Sequence, residues 1–431
     1  MSKIDRRTFL RNLGLGAAGI VILGEVGLTA CGSSDQKPGQ PGDNKSQSGG
    51  AKKKLDVIKI GTIQPLSGAL AFAGTQCLVG IKIAADKINA AGGIKSLGGA
   101  KIELVSADSQ GKPEVGSAEV ERLITRERVA ALVGAYQSAT TVATTQVAEK
   151  NRIVHMIDEG ISADVLSRGF KYSFRVIADA TMASKKTVKY AVELARVTGK
   201  EFKTVVVMHE NTAFGTSMAK VIQAEAPKAG LQVLEVIGYP PTTPDLTTEV
   251  SKALQKKPDV ILWSGYFGDG VLGARAFTQL KGQSIVKAVI GNTNGAFSTD
   301  KFITDAGPAS DGFFDNNHRW NTKSPDLAYI KSELEKRKAP LTHDIIDAYA
   351  AATVLFDAIK RAGTDDRDAI REAVASTNLK LDVLQQKGPV KFDQTGQNVN
   401  AETLLTQVQG DRILVVHPPE FAEAKPVMKW A

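Results

Sequence analysis

The chain has 431 residues, 42% of them hydrophobic, and carries a formal charge of +8 from 54 Lys and Arg against 46 Asp and Glu. That length predicts two domains rather than one core, and the apolar content excludes a disordered chain. The charge excess is spread along the sequence without a basic block, which excludes a nucleic-acid arm and predicts a surface of mixed charge.

Residues 1–30 read as a targeting segment. Arg6, Arg7, Thr8, Phe9, Leu10 and Arg11 form a twin-arginine signature, followed by an apolar stretch through Leu13, Leu15, Ile20, Val21, Ile22 and Leu23. The stretch is too short to span a bilayer and Glu25 interrupts it. It ends Leu28-Thr29-Ala30-Cys31, which resembles the lipobox of bacterial lipoproteins. The resemblance implies lipidation of Cys31 as the new N-terminus and an extracytoplasmic protein anchored to the cell membrane. With Cys31 so used, Cys77 has no partner for an intrachain disulfide and reads as a small core residue. Gly14, Gly16 and Gly19 spell the dinucleotide pattern G-x-G-x-x-G, but arginines rather than a strand precede it, so no cofactor is expected there. Residues 31–54 hold the lipidated cysteine and a Ser, Gly, Pro, Gln, Lys and Asp tether, with a reach of roughly 25 Å.

From residue 56 onward short apolar runs alternate with amphipathic stretches. Strands are expected at Val57–Ile63, Lys101–Ser106, Ala130–Gly134 and Arg152–Ile157, then at Thr204–Met208, Gln232–Ile237, Asp259–Trp263 and Val286–Ile290, with a late one at Ile413–Val416. Their Val, Ile and Leu content without polar alternation predicts parallel strands buried on both faces. The first helix carries Leu78, Ile81, Ala85 and Ile88 and stops at Gly92-Gly93; others are expected near 116–127, 182–197, 215–229, 247–256, 325–338 and 343–362. Strict βα alternation implies right-handed crossovers and an α/β fold. Arg175-Val176-Ile177 and the neighbourhood of Gly312–Asn316 read as crossings between two lobes, which predicts one lobe of 55–176 plus 311–378 and another of 177–310 plus 379–431.

Ligands of open α/β sheets bind beyond the carboxyl ends of the strands. Those positions hold Leu66-Ser67-Gly68, Ser109, Tyr136 through Thr140, Asp158 through Ser162, Asn211 through Gly215, Gly265-Tyr266-Phe267 and Gly291 through Asn294. The set is one of hydroxyls, small residues and aromatics. Ser138, ahead of a helix-like stretch at 139–149, is placed to act as an N-cap, where unpaired N–H groups and the helix dipole favour a carboxylate.

Pro65-Leu66-Ser67-Gly68, Gly80 and Ile88-Asn89-Ala90-Ala91-Gly92-Gly93-Ile94 resemble the branched-chain amino acid binding proteins of ABC importers. Val133-Gly134 with Ser138, Arg168-Gly169-Phe170 with Phe174-Arg175, Phe214-Gly215, Gly265-Tyr266 and Tyr349-Ala350-Ala351 extend the likeness across nearly all of 56–420. The resemblance implies a type I periplasmic-binding fold, two Rossmann-like lobes on parallel central sheets, closing about a multi-crossing hinge. It implies that Ser138, Ala139 and Thr140 hold the ligand carboxylate, that Gly160, Ile161 and Ser162 add contacts beside it, and that Phe214 and Tyr266 cover the ligand. It also implies a monomer that delivers a small molecule to permease and ATPase subunits. One departure stands out: where amino-acid binders place a glutamate for the ligand ammonium, this chain has Asn292, Thr293 and Asn294. Asp158 or Glu159 would then meet an ammonium, or else the ligand is an amide, a urea-like molecule or a plain carboxylate.

No G-x-S-x-G elbow and no H-E-x-x-H appear, and the five histidines lack ligand spacing, so neither catalysis nor a metal is expected. His209-Glu210 reads as a polar strand end, and Trp320 as a core or hinge residue. A ligand-sensing module for a membrane receptor and a lipoprotein hydrolase are the alternatives to an importer's binding protein.

Overall fold

The computed structural model describes residues 55–430; the twin-arginine segment, Cys31 and the tether lie outside the described residues. Among the described residues no helix is long and apolar enough to cross a membrane.

The chain opens with β1 (Val57–Gln64), α1 (Ala71–Ala90), β2 (Lys101–Asp108), α2 (Pro113–Thr125), β3 (Ala131–Gly134), α3 (Ser138–Lys150), β4 (His155–Ile157) and β5 (Ser173–Arg175). These five strands make a sheet of order β2-β1-β3-β4-β5, parallel throughout. The next stretch is α4 (Ala180–Thr198), β6 (Thr204–Glu210), α5 (Ala213–Glu225), β7 (Gln232–Tyr239), α6 (Thr247–Gln255), β8 (Val260–Ser264), α7 (Phe267–Gln279), β9 (Ala288–Asn292), α8 (Asp300–Ala306) and β10 (Phe314–Asn317). The chain then runs α9 (Pro325–Arg337), α10 (His343–Ala362), α11 (Arg367–Ala375), β11 (Asn378–Leu379) and β12 (Val390–Lys391), and ends in the hairpin β13 (Leu404–Gln409) and β14 (Arg412–His417). The second sheet has the order β14-β13-β10-β9-β8-β6-β7, parallel from β10 to β7 and antiparallel at β13 and β14.

Each sheet is covered on both faces, as its continuous apolar strands require. In the first lobe Ile58 and Ile60 of β1 pack with Ile81 of α1 and with Val354 and Phe356 of α10. In the second, Trp263, Phe277, Phe297 and Phe313 fill one face, and Val205, Val207, Leu262 and Ile290 the other. Burying each such side chain contributes about 1.5–3 kcal/mol, and α10 is buried along most of its length.

The lobe boundaries differ from those expected at 311 and 379. β10 belongs to the second sheet, so the crossing falls after Asn317. Leu381, Val383, Val390 and Phe392 pack into the first lobe's core, so the return to the second lobe lies between β12 and β13. The sequence pattern failed at both places because β10 has a single apolar residue, Phe314, and continues in polar residues, and β11 and β12 are two residues each.

Three segments therefore pass between the lobes, and the first and third are tied together. The fully buried Arg175 guanidinium donates to Gln397 Oε1 (2.8 Å) and to the carbonyls of Gly160 (2.8 Å) and Ser162 (3.0 Å). Gln397 donates to Ile177 O at 2.7 Å and Asn398 to Val176 O at 2.7 Å. Burial lowers the Arg175 pKa to about 10, and the residue remains charged near neutral pH.

Candidate functional site

The carboxyl ends of the strands from both sheets face one cleft of about 390 Å³. Its first-lobe wall starts at α3. Ser138 is the first residue of that helix rather than its N-cap, a place taken by Gln137. The first backbone bond of the helix runs from Thr141 N–H to Gln137 O (2.9 Å), so the N–H groups of Ser138, Ala139 and Thr140 precede it and are the unpaired donors of the helix end. Ser138 Oγ accepts from Ser162 N–H at 3.1 Å, which binds the loop after β4 to the helix. Gly160 in that loop sits so close to α3 that a Cβ there would come within 2.3 Å of Thr141 Oγ1.

Gln64 at the end of β1 organises the wall behind. Its Oε1 accepts from Tyr136 N–H at 3.0 Å, and its Nε2 donates to Asp158 Oδ2. Asp158 is thereby turned into the protein, fully buried, and burial pushes its pKa up to about 7. The neighbouring Glu159 points the other way and lines the cleft, with Oε1 lacking any hydrogen-bond partner. Burial, then the nearby Asp347, Asp344 and Asp158, hold its carboxyl well above the usual range.

The second-lobe wall is aromatic. Glu210 at the end of β6 accepts from Thr212 N–H (2.7 Å), Thr212 Oγ1 (2.8 Å) and Gly215 N–H (2.6 Å), capping α5 and fixing Phe214 in its first turn. Glu210 is therefore a polar strand end, as expected. Tyr266, just ahead of α7, stacks on Phe214 with ring centroids 5.4 Å apart. Across the cleft Tyr136 lies 5.9 Å from Tyr266, and Phe72 of α1 lies 5.3 Å from Phe267 of α7. The lobes also join through Ala163 N–H donating to Ser217 Oγ at 3.1 Å. Thr293 lines the cleft in a left-handed conformation (φ 52°), held by its N–H to Asn316 O (2.9 Å) and its hydroxyl to Asn292 O (2.7 Å). Such a backbone is costly for a β-branched residue.

Of the residues expected at the site, Ser138, Ile161, Phe214, Tyr266 and Thr293 line the cleft. Asp158 and Ser162 do not, being turned to Gln64 and Ser138, and Gly160 lies behind them with its carbonyl on Arg175. Thr140 donates its buried hydroxyl to Gln137 Oε1 (2.9 Å), and Ala139 is half-buried outside the lining; both reach a ligand only through backbone N–H. Asn292 is engaged with Thr187 (2.6 Å) and Ser184 (3.0 Å).

The sequence reading missed the floor. Asn317, the last residue of β10, His318 directly after it, and His343, the first residue of α10, line the cleft beside Glu159. Asp344 and Asp347 lie just behind. Recognition of β10 as a strand would have brought Asn317 and His318 into the set by the same strand-end rule. His343 follows the capping Thr342, a helix start readable in the sequence, although nothing local aims it at the cleft.

Residues 57–412 match the profile of the periplasmic binding protein family. Among curated relatives, Leu/Ile/Val-binding protein homolog 8 of Brucella abortus is 29% identical over 383 residues, covering 86% of this chain and 93% of its own. The leucine-binding protein LivK of Thermotoga maritima superposes with a TM-score of 0.74 at 22% identity, over 84% of this chain and 99% of its own. A solute-binding protein of an ABC transporter from Rhodopseudomonas palustris, solved with 4-hydroxybenzoate, gives 0.72 at 19% identity, over 87% and 99%.

Proposed function

The chain belongs to the periplasmic binding protein family, and from that premise we propose that it is the solute-binding subunit of an ABC importer, capturing a branched-chain or other hydrophobic amino acid or a close analogue. Membership sets an extracytoplasmic location. The observation that carries the ligand reading is the pairing, in one cleft, of two opposite polar features under an aromatic cover. The N-terminus of α3 with the Ser138 hydroxyl suits a carboxylate, and the Glu159 carboxyl with its unpartnered oxygen suits an ammonium. Ile161, Phe214 and Tyr266 meet in one apolar cluster that receives a hydrophobic side chain. Ligand held by the first lobe draws Phe214 and Tyr266 over it, the closed form gains population, and permease and ATPase subunits read that shape. A lipid on Cys31 keeps this monomer beside them.

The test is thermal unfolding of the purified, ligand-free full chain against amino acids, amides, urea analogues and small carboxylates. A ligand at 100 times its dissociation constant stabilises by about 2.7 kcal/mol, a readable shift. A shift with leucine, isoleucine or valine is the expected result. Three rings around the cleft and the uncharged Asn292–Asn294 stretch favour a second reading, an aromatic carboxylate such as the Rhodopseudomonas protein holds. Shifts confined to benzoates establish that reading. No shift with any compound overturns both.

A further inference from the structure

The floor of the cleft gathers more ionisable groups than an amino acid needs. One imidazole nitrogen of His318 and one carboxylate oxygen each of Glu159 and Asp347 lie within 4.8 Å of one another. All three residues are at least nine-tenths buried, at 5%, 8% and 1% exposure. Neither ring nitrogen of His318 has a hydrogen-bond partner, and Glu159 Oε1 and Asp347 Oδ2 have none either, although the two carboxyl groups meet through their other oxygens. His318 Nδ1 stands 3.3 Å from Asp347 Oδ2. A buried polar atom without a partner is costly, and a buried carboxylate without one more so. Here the unpartnered atoms come from three elements far apart in the chain and converge on one point.

We propose that Glu159, His318 and Asp347 form a binding site for one divalent transition-metal ion at the floor of the cleft. Ligand atoms about 2.1 Å from a common ion sit at most about 4.2 Å apart, so the three donors reach bonding distance by drawing in a few tenths of an ångström. A double positive charge offsets the crowding of Glu159 with Asp344 and Asp347. The imidazole nitrogen favours zinc, iron or cobalt over magnesium and calcium, which prefer all-oxygen sites. A neighbouring set of Cys77, Glu159 and Asp344 shares one ligand with this one. Cys77 does not line the cleft, whereas Glu159 and His318 do, so the imidazole set is the one an ion reaches from the cleft. Glu159 and His318 line the cleft, so the ion's remaining positions face the space where a solute sits, and with the ion bound Glu159 is closed to an ammonium and the loaded site offers itself to a carboxylate instead.

The experiment titrates chelator-stripped full chain with zinc chloride, manganese chloride and magnesium chloride by calorimetry, and records the visible spectrum with cobalt chloride. One equivalent of zinc is expected to bind, magnesium is not, and His318→Gln and Asp347→Asn are each expected to weaken zinc at least tenfold. Unfolding midpoints in chelator show whether each variant is folded. The cobalt bands of the parent are expected to change in His318→Gln, a response that a general loss of stability would not give. Absence of stoichiometric binding by the parent overturns the site regardless of how the variants behave. Binding of equal strength in both folded variants places the ion elsewhere and overturns it as well. The solute panel repeated in chelator separates the two readings, because a solute shift that persists there leaves the importer assignment standing whatever the metal does.

Discussion

The two walls of the cleft are built from the same kind of βα unit and are chemically unlike. The first-lobe wall, with the floor beneath it, carries Ser138, the start of α3, Glu159, His318 and His343. The second-lobe wall carries Phe214, Tyr266, Gly265 and Thr293, and its one strand-end carboxylate, Glu210, is spent on capping α5. The titratable groups thus sit on one side, and the covering area, apart from Tyr136 and Ile161, on the other. That division suits a ligand that is oriented by polar contacts before closure and sealed by aromatic rings after it. The division also locates specificity: the wall with titratable groups decides which polar ends are accepted, and the aromatic wall decides how tightly the closed form is held.

The strongest way to break the comparison is to remove what holds the polar wall in place. Arg175→Met leaves the buried carbonyls of Gly160 and Ser162 and the Gln397 amide without their donor. A loss of about 3–5 kcal/mol is expected in denaturant unfolding. Next comes Glu159→Gln, which removes a charge-assisted contact to an ammonium. For an amino-acid ligand it should cost about 1.5–3 kcal/mol in titration calorimetry, a tenfold to hundredfold weakening; an aromatic carboxylate should bind the variant nearly as well as the parent.

Asp158 gives a prediction of similar kind but in stability. Its pKa is about 7 in the folded chain against an ordinary 3.8, so between these values the native state holds a proton that the unfolded chain has released. Its contribution is therefore complete below about pH 4 and is lost as pH rises through about 7, at no more than about 1.4 kcal/mol per pH unit. Asp158→Asn should remove that slope from the difference between the two proteins' unfolding free energies. His155 works in the opposite sense. Burial lowers its pKa to about 4 from 6.5, so its contribution is present above 6.5 and lost as pH falls toward 4. Only the variant-minus-parent difference isolates Asp158.

On the aromatic wall, Tyr266→Ala should weaken ligand about five- to tenfold through lost burial, and Tyr266→Phe should change little. Ser138→Ala should have the smallest effect, under about 1 kcal/mol, because the backbone donors of α3 survive it. Equal losses for Ser138→Ala and Glu159→Gln would erase the distinction between a backbone-made carboxylate end and a side-chain-made ammonium end.

Several elements eluded the sequence for identifiable reasons. Helix α7 was not expected because Gly268, Gly270 and Gly273 dilute its helical pattern. Gly273 is where the helix crosses Trp263, and a Cβ there would fall 1.9 Å from the indole ring. The antiparallel hairpin β13–β14 was half-read, with only its second strand expected. Ser138, Phe214, Tyr266 and Thr293 were legible because each follows a strand whose apolar run is continuous, and strand ends are where an open sheet presents residues to a ligand.

The sequence by itself determined the alternation of buried strands and amphipathic helices, the parallel α/β class and the strand-end residues, since these follow from local periodicity and the fixed hand of the βαβ crossover. Tertiary structure alone decided that Asp158 turns inward to Gln64 while Glu159 turns to the cleft, because adjacent residues differ only in what packs against them. It alone decided that His318, His343, Asp344 and Asp347 meet Glu159, because β10 and α10 return to the floor of the cleft from more than a hundred residues downstream. No period or spacing along the chain encodes such a meeting. It is set by the hinge crossings, of which the sequence placed the one at Arg175-Val176-Ile177 but not the return between β12 and β13.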